Sequence, residues 1–200
     1  MPYIIRPKGV RRVAATLFGV VLLVCALPAA ASAACPSSPA SSLLAAFGDD
    51  ATYTLLAGSS FESGASGWSL TNASVVSEEG ATGGSSALAI EPGGRAISPA
   101  VCVSSEYPTF RFFAHQLEPG SPGSALHVSL QWTDLWGHPH NTQVGSVQAG
   151  EEWTLSPVLG LARALPLWMP GFSLQVRVQF QPTGNAPWAI DDVYIDPYSR

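Results

Sequence analysis

Leu174-Gln-Val-Arg-Val-Gln-Phe180 alternates apolar and polar residues without a break. A period of two sends Leu174, Val176, Val178 and Phe180 to one side of an extended chain, and Gln175, Arg177 and Gln179 to the other. That pattern is a half-buried β-strand with one face on a core and one in water. A second run repeats it: Leu126, Val128, Leu130 and Trp132 alternate with His127, Ser129 and Gln131. Outward from these two, residues 51–56, 68–70, 73–77, 87–90, 96–98, 101–103, 108–114, 143–147 and 152–155 read as further short strands. They are separated by Gly-, Pro- and Ser-rich turns such as 58–67, 78–85 and 118–123. Residues 159–168 alone look helical, and Pro166 and Pro170 limit that run. Many short strands with regular turn signals and almost no helix predict a single all-β domain, an antiparallel sandwich or barrel.

The last strand, Trp188-Ala-Ile-Asp-Asp-Val-Tyr-Ile-Asp-Pro197, breaks the pattern. It places Asp191 and Asp192 inside an apolar run, where a core strand rarely carries charge without a partner. A bound cation, a backbone-rich loop and solvent are the three partners open to them. Strict alternation groups Asp192 with Trp188, Ile190 and Tyr194, and Asp191 with Val193 and Ile195. A bulge would change that grouping.

The N-terminus is of another kind. Arg6, Lys8, Arg11 and Arg12 precede an apolar run at 13–27, and Ala31-Ser-Ala33 supplies small residues for cleavage. Residues 1–33 read as a secretory signal peptide, with the run too short for a comfortable membrane span. Residues 34–50 read as an irregular N-terminal segment, and 51–200 as the sandwich. The signal carries four of the nine basic residues and none of the fourteen acids, so its loss takes the formal charge from −5 to −9. An acidic, lysine-free mature chain argues against nucleic acid and anionic membranes as partners, and the composition suggests a bacterial source. The expected mature protein is extracellular and monomeric, with no membrane insertion after cleavage. Of three cysteines, Cys25 lies in the signal, leaving Cys35 and Cys102 as an even pair in an oxidising compartment. A disulfide is the default, worth roughly 4 kcal/mol for a loop of this length in the chain-entropy view. Lipidation of Cys35 is the alternative, and Ser32-Ala33-Ala34 lacks the large aliphatic residue it requires.

Ser60-Phe-Glu-Ser-Gly64 followed by Trp68, the amphipathic strands, and Trp188-Ala-Ile-Asp-Asp-Val-Tyr194 at the end together resemble the galactose-binding-like, jelly-roll carbohydrate-binding modules of secreted bacterial glycoside hydrolases. The resemblance covers roughly residues 53–198. The whole chain also resembles a group of small secreted bacterial proteins, without an assigned activity, that end in an Asp-Asp-Val-Tyr-x-Asp-Pro-Tyr pattern. The first resemblance implies a jelly-roll β-sandwich and a structural calcium ion. Its ligands would be Glu62, Asp191 or Asp192, and the carbonyl of Ser60, an oxygen-only set suited to that ion.

A sugar site needs flat apolar faces and planar polar groups. Residues 131–140 are the richest stretch, with Gln131, Trp132, Asp134, Trp136, His138 and His140. Trp132 ends an apolar face and reads as core, whereas Trp136 sits in a turn and is the better platform. Asp134 serves either a ligand hydroxyl or the turn itself. Trp153 and Trp168 are further loop-borne candidates, and Trp68 and Trp188 read as buried. Arg111, Gln131 and Arg177, with Gln175 and Gln179, form a polar set that suits one sheet face. His138-Pro-His140 is a weak zinc signal without a third ligand in the nearby sequence. No nucleophile elbow, His-Glu-x-x-His or phosphate loop is present. The resulting expectation is a non-catalytic module that binds carbohydrate or a cell-surface glycan. A structural or protein-interaction module of the envelope is the alternative. A jelly-roll hydrolase is the third, and it requires catalytic groups converging in one cleft.

Overall fold

The computed structural model describes residues 40–104, 109–161 and 173–196. All of them belong to one compact unit. The signal peptide expected at 1–33, Cys35 and Trp168 lie outside them.

Eleven strands follow in chain order among the described residues: β1 (Thr54–Leu55), β2 (Ser69–Ser77), β3 (Ser86–Ile97), β4 (Val101–Ser104), β5 (Thr109–Gln116), β6 (Ala125–Thr133), β7 (Pro139–Val147), β8 (Thr154–Leu155), β9 (Leu159–Gly160), β10 (Ser173–Thr183) and β11 (Trp188–Asp196). The strand pairings within this sheet are antiparallel, and the main path runs β7-β6-β10-β3-β11-β5-β8. The path folds into two layers at β3. Leu88, Ala89 and Ile90 pair with β11, whereas Ala96 and Ile97 pair with β10. One layer is therefore β7-β6-β10-β4, and the other is built on β11 and β5. This is the antiparallel sandwich expected from the strand pattern, of the jelly-roll type that the resemblance implies.

The sequence breaks read around residues 91–95 lie inside one long strand. Thr71 pairs with Arg95 and Ala73 with Ile90, so 91–94 bulge opposite Asn72. A Cβ at Gly94 would lie 2.4 Å from the Asn72 carbonyl, which is why the crossing point needs glycine. The helix expected at 159–168 is corrected at its start, because Leu159 and Gly160 form β9 against Phe110 and Thr109. Leu159 and Leu161 are both buried, and a short apolar run does not separate strand from helix.

The two alternating runs pack as their period requires. Leu126, Val128 and Leu130 of β6 and Val176, Val178 and Phe180 of β10 face Leu88, Ile90, Phe110, Phe112, Trp188 and Ile190 across the main core. Phe61 and Trp68 close one end of it, with their rings 5.2 Å apart. The outer face of the β11–β5 layer is covered by the N-terminal segment: Leu44 and Tyr53 pack with Phe113 and Tyr194 in a second cluster. Arg111 joins this cover through its ion pair to Asp49 at 3.0 Å. The outer face of the β6–β10 layer carries Gln175, Arg177 and Asn141, all exposed.

Candidate functional site

The bulge decides the fate of the two aspartates. The β11–β5 register slips between Asp191 and Tyr194, and Asp192 has a φ of 45°. One extra residue is thereby inserted, so Val193 rejoins Trp188 and Ile190 in the main core while Tyr194 enters the second cluster. Both carboxylates end up buried, which neither strict-alternation grouping anticipated.

Each is held by named partners. Asp191 Oδ1 accepts the Asp192 N–H at 2.9 Å, and Oδ2 accepts the Ala81 N–H at 3.2 Å. Asp192 Oδ2 accepts the Tyr194 hydroxyl at 2.9 Å and the Thr82 hydroxyl. Glu62 reaches the same Gly-rich turn, accepting the Ser85 and Ser86 N–H groups at 2.9 and 3.0 Å. Burial, and then the Asp192 charge, push the Asp191 carboxyl up to about 7, and Glu62 adds to the rise. Burial likewise raises the Tyr194 phenol, followed by the Asp192 charge. The Ser85 N–H holds Glu62 below the ordinary carboxylate range against a smaller desolvation cost.

These three acids form an oxygen-only set, and among the described residues none is ion-paired to an arginine or histidine. That chemistry fits a hard cation. Their side chains are turned to backbone and hydroxyl donors, and among the described residues no three His, Cys, Asp or Glu groups converge as a metal centre. Ser60 is half-buried; the residue of its loop that bonds to β11 is its neighbour Ser59. Ser59, Ala81 and Thr82 were not legible as site residues, and the only signal for them was the density of turn formers around each.

A second constellation lies on the outer face of the other layer. Strand register places Asn141, Gln131 and Arg177 side by side on β7, β6 and β10. With Gln175, Trp132 and His140 they line an open cleft of about 510 Å³. The Trp132 and His140 rings stack at 4.2 Å, and the Gln131 amide donates to Gln179 at 2.7 Å. Trp132 therefore touches the core with part of its surface and the cleft with the rest.

The remaining candidates divide. Arg111 does not join Gln131 and Arg177. It lies on the β11–β5 layer, bonded to Asp49 and to the Ser156 carbonyl, because its strand is in the other half of the sandwich. Trp153 also sits there, its indole N–H on the Glu79 carbonyl at 2.9 Å and its ring 4.3 Å from His115. Asp134 caps the β6–β7 turn: Oδ1 accepts the Trp136 and His138 N–H groups at 2.9 and 2.8 Å. Its Oδ2 faces His138 Nδ1 at 3.2 Å and His140 Nε2 at 3.0 Å, so the two histidines are bonded to the turn's own aspartate. Trp136 is 81% exposed at the tip of that turn, outside the cleft lining. Cys102 on β4 is disulfide-bonded, with its partner outside the described residues.

No known protein family matches the sequence, and no curated protein matches it. Among solved structures, the chain is similar to the N-terminal endo-1,4-β-D-xylanase 10B of Clostridium thermocellum, CBM22-1 and GH10 modules complexed with xylohexaose. The TM-score is 0.52 at 14% identity, covering 70% of this chain and 28% of that one. It is also similar to the N-terminal CBM22-1–CBM22-2 tandem domain of Paenibacillus barcinonensis Xyn10C, with a TM-score of 0.50 at 16% identity over 72% of this chain and 44% of that one. The chain thus spans less than a third of the first and less than half of the second. At these identities the likeness is one of fold, and the fold is the jelly-roll sandwich found among carbohydrate-binding modules.

Proposed function

We propose that the protein is a secreted, non-catalytic carbohydrate-binding module whose ligand lies across β7, β6 and β10. The observation that carries this reading is the cleft itself. A rung of planar polar groups, Asn141, Gln131 and Arg177, is flanked by Gln175 and by the stacked Trp132 and His140. Amides and a guanidinium suit sugar hydroxyls, an aromatic wall suits the C–H face of a ring, and about 510 Å³ is within the roughly 300–1,000 Å³ of small-ligand sites. Structures that share this fold include one with xylohexaose bound. Glycoside hydrolysis uses a pair of carboxylates at the scissile bond, and none lines this cleft.

Two supporting features belong to the same reading. The disulfide of Cys102 is taken to be with Cys35, fastening the mature N-terminus. Calcium is assigned to Glu62, Asp191 and Asp192 with the Ser60 carbonyl. Bound there, it would neutralise the acids and tie the opening loop to the last strand. The protein is expected to act as an extracellular monomer.

Affinity gel electrophoresis through a panel of plant and bacterial polysaccharides tests the proposal. Retardation by at least one glycan, lost in Gln131→Ala/Gln175→Ala at unchanged melting temperature, is the expected result. A blank across the panel removes the carbohydrate reading. The alternative, a protein-interaction module of the envelope, draws on Leu135 and Trp136, each 81% exposed at one hairpin tip. It predicts that Trp136→Ala abolishes a protein contact without affecting any glycan.

A further inference from the structure

Resting on the cleft as a carbohydrate site, we propose that its ligand is an anionic polysaccharide, recognised through a carboxylate or sulfate group held by Arg177. The chain has fourteen acids against nine basic residues, yet the cleft lining contains one guanidinium, one imidazole and no acid. Among the described residues, Arg177 is ion-paired to no carboxylate. Its partner there is a neutral one, the Ser98 carbonyl at 3.3 Å from one terminal nitrogen. A guanidinium has five N–H donors in a planar fork, so most of them remain for a ligand.

The guanidinium is also aimed. Ser98 is fully buried and locked to β10: its N–H donates to the Val178 carbonyl at 2.9 Å, and its hydroxyl oxygen accepts the Val178 N–H at 2.9 Å. The carbonyl that takes Arg177 is therefore fixed relative to the strand that carries Arg177. On one side the register places Gln131 directly opposite, and Gln175 lies two residues away on the same face. An anionic group at the fork would thus have amides on either side for the neighbouring hydroxyls. The acid that touches the cleft wall, Asp134, is directed to His138 and His140 and not toward Arg177. Hydrogen bonds to an ionised partner are about twice as strong as neutral ones, and bidentate pairing adds orientation. A neutral sugar uses the same donors without that gain.

The test is retention of the purified protein on matched pairs of polysaccharides. Polygalacturonate is set against its methyl ester, and a sulfated galactan against the desulfated polymer, with xylan and neutral galactan alongside. The expected result is at least about ten-fold tighter binding to the charged member of one pair. The first pair reports a carboxylate ligand and the second a sulfate. Arg177→Gln should abolish that preference at unchanged melting temperature, lowering binding of the charged member at least about ten-fold more than binding of the neutral one. Arg177→Lys, which keeps the charge and loses the fork, should fall between. Neutral glycans bound as tightly as charged ones, or a preference that survives Arg177→Gln, overturns the inference while the carbohydrate site stands. No retention on any polymer overturns both.

Discussion

The backbone N–H of Asp192 donates to the carbonyl of Ser59 at 2.8 Å, joining residues 133 positions apart at the bulge of the last strand. The Ser59 side chain repeats the tie one residue on, because its oxygen accepts the Val193 N–H at 3.1 Å and its hydroxyl donates to the Leu56 carbonyl at 2.9 Å. Ser59 is fully buried, so no water replaces it. Ser59→Ala leaves the Val193 N–H and the Leu56 carbonyl without this partner. The expected cost is roughly 1–3 kcal/mol, read in thermal melts at about 2–4 °C per kcal/mol for a chain of this size. Melting within a degree of wild type would show that the hydroxyl is dispensable and that the backbone bond alone holds the loop.

Asp191 gives stability a pH dependence of definite sign. Its carboxyl is raised from an ordinary 3.8 to about 7 in the fold. A raised acid contributes stability that is complete below the unfolded value and is lost as pH climbs through the folded one. In EDTA, the melting temperature should therefore decline between about pH 4 and pH 7, and Asp191→Asn should flatten the decline. Added calcium should raise the melting temperature most at the upper end of that window, where the carboxylates are ionised. If calcium shifts melting at no pH, no cation belongs at this site. If Asp191→Asn keeps the full slope, another group produces it.

The strands were legible because their signal is periodic and local. The outer-face rung was half legible for the same reason, since Gln131 and Arg177 both stand on the polar side of an alternating run. Their neighbour Asn141 was not, because it enters the rung through strand register, which a single segment does not encode. Arg111 shows the limit from the other direction: its polar character was visible, but which layer it belonged to depended on how β3 crosses between layers. A bulge at the two aspartates was open in the sequence, but alternation alone could not decide for it. It is held by the bond to Ser59 and by Thr82 on the Asp192 carboxylate, both more than 100 residues away in sequence, besides the local Tyr194 hydroxyl.

Gly80 tests the packing of the turn onto Asp191. A Cβ there would lie 2.6 Å from the Gly83 carbonyl and 2.8 Å from Asp191 Oδ2, both too close. The residue is buried, so the added methyl has no solvent side to move to. Gly80→Ala should destabilise the protein by roughly 1–3 kcal/mol, as overpacking does. It should also weaken any calcium-dependent rise in melting temperature, because the turn carries the Ala81 and Thr82 donors. Gly150→Ala is the control: nothing lies within 4 Å of its Cβ, so melting should hold or rise slightly. Equal effects of the two changes would refute a specific contact at Gly80.

Asp134 links the exposed hairpin tip to the cleft wall. Its Oδ1 holds two backbone N–H groups of the turn, and its Oδ2 holds His140, whose ring stacks on Trp132. The bond from His140, ahead of those from the turn, keeps the carboxyl well below the usual carboxylate range. A lowered acid contributes stability that is present above its unfolded value and fades as pH falls below it. Asp134→Asn retains one acceptor oxygen and loses the charge. That oxygen can serve the turn or the histidine, so the turn should persist while His140 loosens. Asp134→Ala removes both, so it should lower the melting temperature further and weaken glycan binding several-fold through the Trp132–His140 wall. The two variants separate the roles. Equal glycan affinity in Asp134→Ala and wild type would mean that the wall stands without its clamp, and that the histidine contributes no shape to the site.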